Sequence, residues 1–345
     1  MLPRERVIAA VEGKPTDRVP HHFRAWGNVL DLIRKHTGLP DHEAVLQWAH
    51  SDLRDLGGYG EYLKEGVCAP DSDLWGVKRR TVTGPDGVSY PHIVFAPLAA
   101  AQTMDDLRKY RFPKAAEVCD FSRLHARAKA AEGYFTILEA ESVFDRTWAL
   151  RGMESFMMDL MAGEDMADYM LAQNARFFLD RTRMLLEAGK GLVDCIAIYN
   201  DFGTQNGLMV SVETYRRFVK PHQRTLIALA HEFGARVFYH SCGCVSELYG
   251  DLLEIGLDII DPLQFPALQC TPEQLRARFP TACFHGGLDT QHILPLGTPE
   301  QIRAEVTHLQ AALGQHGRYV LSTSHNIQGG VPFANLQAMV EAAGN

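Results

Sequence analysis

From Tyr134 onward, short runs of β-branched and apolar residues alternate with longer stretches of helical period. That rhythm restricts the chain to a parallel sheet with right-handed helical crossovers. The strand-like runs fall at residues 134–139, 192–199, 236–240, 257–261 (where Pro262 is expected to stop the strand), 282–285 and 319–323. Between them, helical spacing marks 147–161, 166–187, 212–233 with a break near Pro221, 245–255, 272–278 and 298–314, and 332–343 closes the chain. With a first strand expected at 19–25 and a second near Cys68, the count reaches a closed (β/α)8 TIM barrel, residues 1–345 forming one domain. An open doubly wound sheet is the rival, and the lack of a glycine-rich phosphate loop after any strand weighs against it.

Two additions are expected on this barrel. Residues 3–12 read as a short amphipathic helix, the start of an N-terminal helical extension that continues at 28–37 and 41–49. The segment 57–97 is rich in Gly, Pro and Asp and reads as a small β-hairpin insertion turning at Pro85-Asp86-Gly87.

The chain has 345 residues, of which 46% are hydrophobic, enough for a large core. A net charge of −8 argues against a nucleic-acid surface, and Lys78, Arg79 and Arg80 are too few to reverse it. Seven cysteines without a regular framework suit a reducing compartment. Charges stand where a signal peptide needs apolar residues, and no apolar run has the length of a membrane span. The expectation is a cytoplasmic protein that handles small molecules, not nucleic acid or membrane.

Polar residues collect at the strand ends. All strand carboxyl ends of a (β/α)8 barrel open on one face, so residues distant in sequence meet there. His240 and Cys242 form the leading pair: two residues apart, they face one pocket, and imidazole and thiolate are preferred zinc ligands. The plainer reading is a buried thiol beside a hydrogen-bonded histidine. His325, after the last strand, is the candidate third ligand. Cys244 faces the following helix as a structural residue, and Cys195 and Cys283 are core thiols.

Asp201 is either a hydrogen-bond acceptor or base in the pocket, or a loop cap. Glu139 and Glu141 lie two apart and can both point inward, unless one is solvated and the other pairs with Arg146 or Arg151. Asp201 and Glu141 are thus the candidate catalytic groups. Asn200, Asn206, Glu139 and His22 are candidate substrate contacts, each with a structural alternative in its own loop or core.

Several blocks together are similar to the uroporphyrinogen decarboxylase superfamily: Tyr199-Asn-Asp-Phe-Gly203, Ser211-Val-Glu-Thr-Tyr-Arg-Arg-Phe-Val-Lys-Pro221, Gly256-Leu-Asp-Ile-Ile260, Gly286-Gly-Leu-Asp289 and Pro332-Phe-Ala-Asn-Leu336. The resemblance runs from Arg4 to Ala342 and implies a (β/α)8 barrel. The haem-pathway decarboxylase carries an arginine-rich loop after its first strand; here His22-Phe-Arg24-Ala-Trp-Gly27 has one arginine, too few cations for a polycarboxylate tetrapyrrole. Tyr239-His-Ser-Cys-Gly243 instead resembles the zinc motif of the cobalamin-dependent methyltransferase branch, with His325 where that branch has a cysteine.

The resemblance therefore implies a methyltransferase or demethylase that uses Zn2+ and moves a methyl group between a small substrate and a corrinoid carried by a partner protein. It also allows a homodimer. Two alternatives stand beside this: a metal-independent decarboxylase working through Asp201 and His325, and a non-catalytic corrinoid- or tetrapyrrole-binding protein.

Overall fold

A computed structural model describes residues 1–83, 89–163 and 165–344. The Pro85–Gly87 turn lies outside the described residues. The strands are β1 (Leu53–Asp55), β2 (Lys78–Thr83), β3 (Ser89–Phe95), β4 (Phe135–Glu141), β5 (Cys195–Tyr199), β6 (Arg236–His240), β7 (Ile259–Leu263), β8 (Cys283–Leu288) and β9 (Tyr319–Thr323). Strands β2 and β3 pair antiparallel as a separate hairpin. The other seven form one parallel sheet in the order β1-β4-β5-β6-β7-β8-β9, with helices in the connections.

Residues 20–26 span the gap between β9 and β1. The Leu321 amide donates to the Pro20 carbonyl at 2.8 Å and the His22 amide to the Leu321 carbonyl at 2.9 Å. On the other side the Asp52 amide donates to the His21 carbonyl at 2.7 Å. The sheet is thereby curled into a barrel whose eighth stave makes only isolated bridges, at His21 and Ala25. The strand expected at 19–25 is this irregular stave. The strand expected near Cys68 is instead β1, only three residues long, which periodicity is too short to mark.

Other boundaries moved for local reasons. Strand β7 continues through Pro262, joined to Asp261 by a cis bond. The helix expected at 147–161 is two helices, Val143–Arg151 and Met153–Ala162, separated by Gly152 at φ +85°. The pattern at 212–233 breaks at Val219, and Pro221 sits in the first turn of Lys220–Glu232.

Alternation along the strands decides what faces the axis. Leu53, Phe135, Ile137, Cys195, Ala197, Phe238, Ile259, Cys283 and Val320 pack together inside the barrel. Val7 and Val11 of the first helix, Pro3–Val11, join them. Two residues further along, the same parity brings Asp55, Glu139, Tyr199, His240, Asp261 and His285 to the upper inner layer. Cys195 and Cys283 are core thiols; burial pushes the first well above the ordinary thiol range and the second to about 12.

Asn200 has the opposite parity. It is fully buried, and its Oδ1 accepts the backbone amides of Phe144 at 2.8 Å and Asp145 at 3.4 Å. Ser142 gives no side-chain cap to that helix, so Asn200 satisfies its first turn from outside. Asn200 was expected as a substrate contact; here its carboxamide oxygen is committed to the helix start. Replacement of Asn200 by Ala leaves those amides buried without this acceptor and should cost about 1–3 kcal/mol. Urea unfolding of the purified variant measures it, and an unchanged midpoint would refute the assignment.

Candidate functional site

Strand β6 ends on His240, and its inward parity aims the ring at the mouth. Cys242 lies two residues on in a loop, and its Sγ is 3.4 Å from His240 Nε2. Its backbone amide donates to Asp201 Oδ1 at 2.8 Å. Donor atoms from Asp201, His240 and Cys242 all lie within 4.8 Å of one another.

Two glycines make this closeness possible. A Cβ on Gly203 would stand 2.4 Å from the Cys242 carbonyl oxygen, and one on Gly243 would stand 2.6 Å from the Thr204 carbonyl oxygen. Gly243 also has φ +83°. The loops after β5 and β6 therefore pack backbone to backbone, and the Cys244 amide donates to the Thr204 carbonyl at 2.8 Å. Gln264 Oε1 accepts the Gly243 amide at 2.5 Å.

Behind the pair lies a buried polar network. Asp261, at the top of β7, accepts two hydrogen bonds from Arg24, at 3.1 and 2.8 Å. It also contacts Nδ1 of His240 and Nδ1 of His285, each at 2.5 Å. His285 Nε2 is 3.0 Å from His22 Nδ1. Burial alone would raise the Asp261 pKa, but Arg24 and the two histidines hold it well below the usual carboxylate range. Burial would lower His240, yet its contacts with Asp261 and Cys242 lift it to about 10. Burial brings His285 down to about 4.

His325 stands across the same mouth. Its ring centroid is 6.4 Å from that of His240, at 65°. Its Nδ1 is 3.2 Å from the Asn326 carbonyl oxygen, and His325 is not among the residues whose donor atoms lie within 4.8 Å of one another. Cys242 and His325 both line a cavity of about 410 Å³, together with Thr204, Gln205, Gln264 and Gln328.

The remaining expected residues are scattered by comparison. Glu139 is half-buried at the inner rim, and its Oε2 accepts the Tyr59 amide at 3.0 Å. The side chain of Glu141 lies outside the described residues. Asn206 is exposed and its amide donates to Thr204 Oγ1, so it belongs to the loop; its neighbour Gln205 is the cavity residue. His22 is buried beneath the site, in contact with His285, and does not stand at the rim.

Sequence reasoning gave no site role to Asp261, Arg24, His285 or Asp145. Parity with Ile259 was an available signal for Asp261, and the same count from Cys283 finds His285. Asp145 had no such signal, because it depends on a helix meeting a loop. Its Oδ1 accepts the Asp201 amide at 3.2 Å and Trp148 Nε1 at 3.2 Å. Burial, and then the nearby Asp201 carboxylate, push its pKa up to about 7.

The unfolded Asp145 carboxyl ionises near its ordinary value, whereas the folded one keeps its proton to about 7. The native state thus binds more protons across that window, and stability falls as pH rises through it. Asp145→Asn keeps an oxygen for both donors. In metal-free protein it should be more stable than the parent at pH 8 by on the order of 2 kcal/mol, and nearly equal to it at pH 4. Thermal melts at the two pH values test this; an identical difference at both would refute it.

Comparison with known proteins agrees with the architecture. The family model described as uroporphyrinogen decarboxylase (URO-D) matches residues 81–345. A methylcobamide:CoM methyltransferase, MtbA, of Methanosarcina mazei is 23% identical over 99% of this chain and 98% of its own length. A methylated-thiol–coenzyme M methyltransferase of the same organism is 32% identical over 39% of this chain and 34% of its own. A solved methyltransferase structure from Methanosarcina mazei superposes with a TM-score of 0.71 at 17% identity, covering 100% of this chain and 98% of that one. The chain belongs to the uroporphyrinogen decarboxylase family and, within it, resembles the methyltransferase branch and not the haem-pathway decarboxylase.

Proposed function

We propose that this methyltransferase is zinc-dependent and moves a methyl group between a small substrate and a corrinoid carried by a partner protein. The observation that carries the reading is the convergence of His240, Cys242 and Asp201 at the mouth of the barrel. Imidazole nitrogen, thiolate sulfur and carboxylate oxygen are all zinc donors. In a tetrahedral site with ordinary bond lengths, a nitrogen and a sulfur ligand stand about 3.5 Å apart. His240 Nε2 and Cys242 Sγ are 3.4 Å apart. The name of the relative matched over its full length, a methylcobamide:CoM methyltransferase, supports the corrinoid half of the reading.

His240 and Cys242 would hold the ion, with His325 as the third ligand. Asp201 is the competing third donor, but one of its oxygens already accepts the Cys242 amide. When bound, zinc supplies Lewis acidity, keeping a thiol ionised near neutral pH or polarising a methoxy or methylamino group. The chain's own contribution is position. Thr204, Gln205, Gln264 and Gln328 offer hydrogen bonds along the cavity wall, which suits a small polar molecule. Asp201 stands beside the pair as an acceptor for a proton released there. The corrinoid protein would dock over the same mouth, and orienting the two reactants accounts for the rate advantage of such a site.

Metal analysis tests the reading directly. The purified protein should carry about one zinc per chain, as a single site requires. His240→Ala and Cys242→Ser should each remove nearly all of it. His325→Ala should lower occupancy more than Asp201→Asn does; the reverse order would make Asp201 the third ligand. Full zinc content in both the His240 and Cys242 variants would sink the assignment, and a metal-free, active parent would favour the decarboxylase alternative.

A further inference from the structure

We propose that Asp261 is the positioning residue for the ligand His240, clamped in that role by Arg24 from the stave that closes the barrel. This rests on the metal reading above and adds to it a group that does not touch the ion. An ionised carboxylate has about four acceptor sites. At Asp261 all four are occupied: two by Arg24, one by His240 Nδ1 and one by His285 Nδ1. With no acceptor site left, Asp261 orients a ligand and is not one itself.

The hydrogen-bond pattern also dictates tautomers. A carboxylate only accepts, so both imidazoles that meet it must carry a proton on Nδ1. In His240 the proton that remains when Nε2 takes up a metal is therefore the one on Nδ1, and Nε2 is the atom that faces Cys242 Sγ. For His285 the pattern leaves the lone pair on Nε2, which accepts from His22 Nδ1–H. One carboxylate thus fixes the Nδ1 proton of His240 and of His285 and, through His285, that of His22. Metal-binding histidines generally donate their second ring N–H to a carboxylate or carbonyl, which fixes ring angle and raises basicity.

Arg24 gives the device its rigidity. Its two parallel contacts set the plane of the carboxylate, and its guanidinium lies 6.0 Å over the Phe238 ring. Tyr199 flanks the His240 ring at 5.1 Å between centroids. The four participants come from the closing stave, β6, β7 and β8, so closing the barrel and aiming the ligand are one event.

The test measures zinc affinity by chelator competition in the parent, Asp261→Asn and His285→Gln proteins. Asp261→Asn should weaken zinc binding about 10–100-fold. His285→Gln touches the same carboxylate but not the ligand, and should stay within about threefold of the parent. Substitution with cobalt(II) adds a spectral readout, and the ligand-field bands of Asp261→Asn should shift from those of the parent. Equal zinc affinity and an unshifted cobalt spectrum in Asp261→Asn would overturn the role while leaving the metal site intact. A parent that binds no zinc would overturn the metal reading and this role together. Should Asp261→Asn fail to fold, nitrogen-15 NMR of the histidines in the cadmium-loaded parent decides. His240 should show a protonated Nδ1 and a cadmium-coupled Nε2; the opposite assignment refutes the proposal.

Discussion

A single ionised carboxylate, Asp261, is sealed inside the barrel and held by an arginine and two histidines. Burying a lone carboxylate is expensive, and only a full set of charge-assisted partners makes it tolerable. Those partners sit on the closing stave, β6 and β8, so the ion cannot be satisfied unless all are in register. A buried ionic network of this kind is not by itself a large net source of stability. An apolar replacement of similar volume can be as stable, whereas deleting one partner typically costs 3–5 kcal/mol.

The closing stave has little else to define it. Residues 20–26 make isolated bridges rather than a strand, and β1 is three residues long. A second carboxylate, Asp52, reinforces the seam: it accepts the His21 amide at 2.9 Å and a buried contact from Arg6 at 2.5 Å. Side-chain ion pairs here supplement a sparse backbone ladder at the point where the sheet joins itself. From β4 to β9 each neighbouring pair of strands is joined by a parallel backbone ladder, and the lower interior is filled by apolar residues.

The mouth combines rigidity with open donors. Backbone contact between the loops at Gly203 and Gly243 removes freedom from the segment that carries Cys242. Half-buried His240, Cys242 and His325 stand beside a cavity of about 410 Å³, and the proposed metal reading needs both fixed donors and an open cavity. No helix among the described residues is long and apolar enough to cross a membrane.

Periodicity by itself determined the parallel barrel, because alternation of strand and helix leaves few topologies, and strand parity accounts for the inward direction of His240 and the burial of the thiols Cys195 and Cys283. The pairing of His240 with Cys242 was legible for the same reason: two residues of one strand end share a direction. Tertiary structure alone decided the rest. Asn200 looked like a rim residue until a helix start was found seated on it. Asp261 looked like the end of a strand until Arg24, some 237 positions away, was found against it. His325 was placed at the mouth from sequence, but its ring angle follows from the Asn326 carbonyl, a contact no pattern encodes. Periodicity reports which way a side chain leaves its own backbone; it carries no information about which distant group will satisfy its charge, and at this site the chemistry depends on those distant partners.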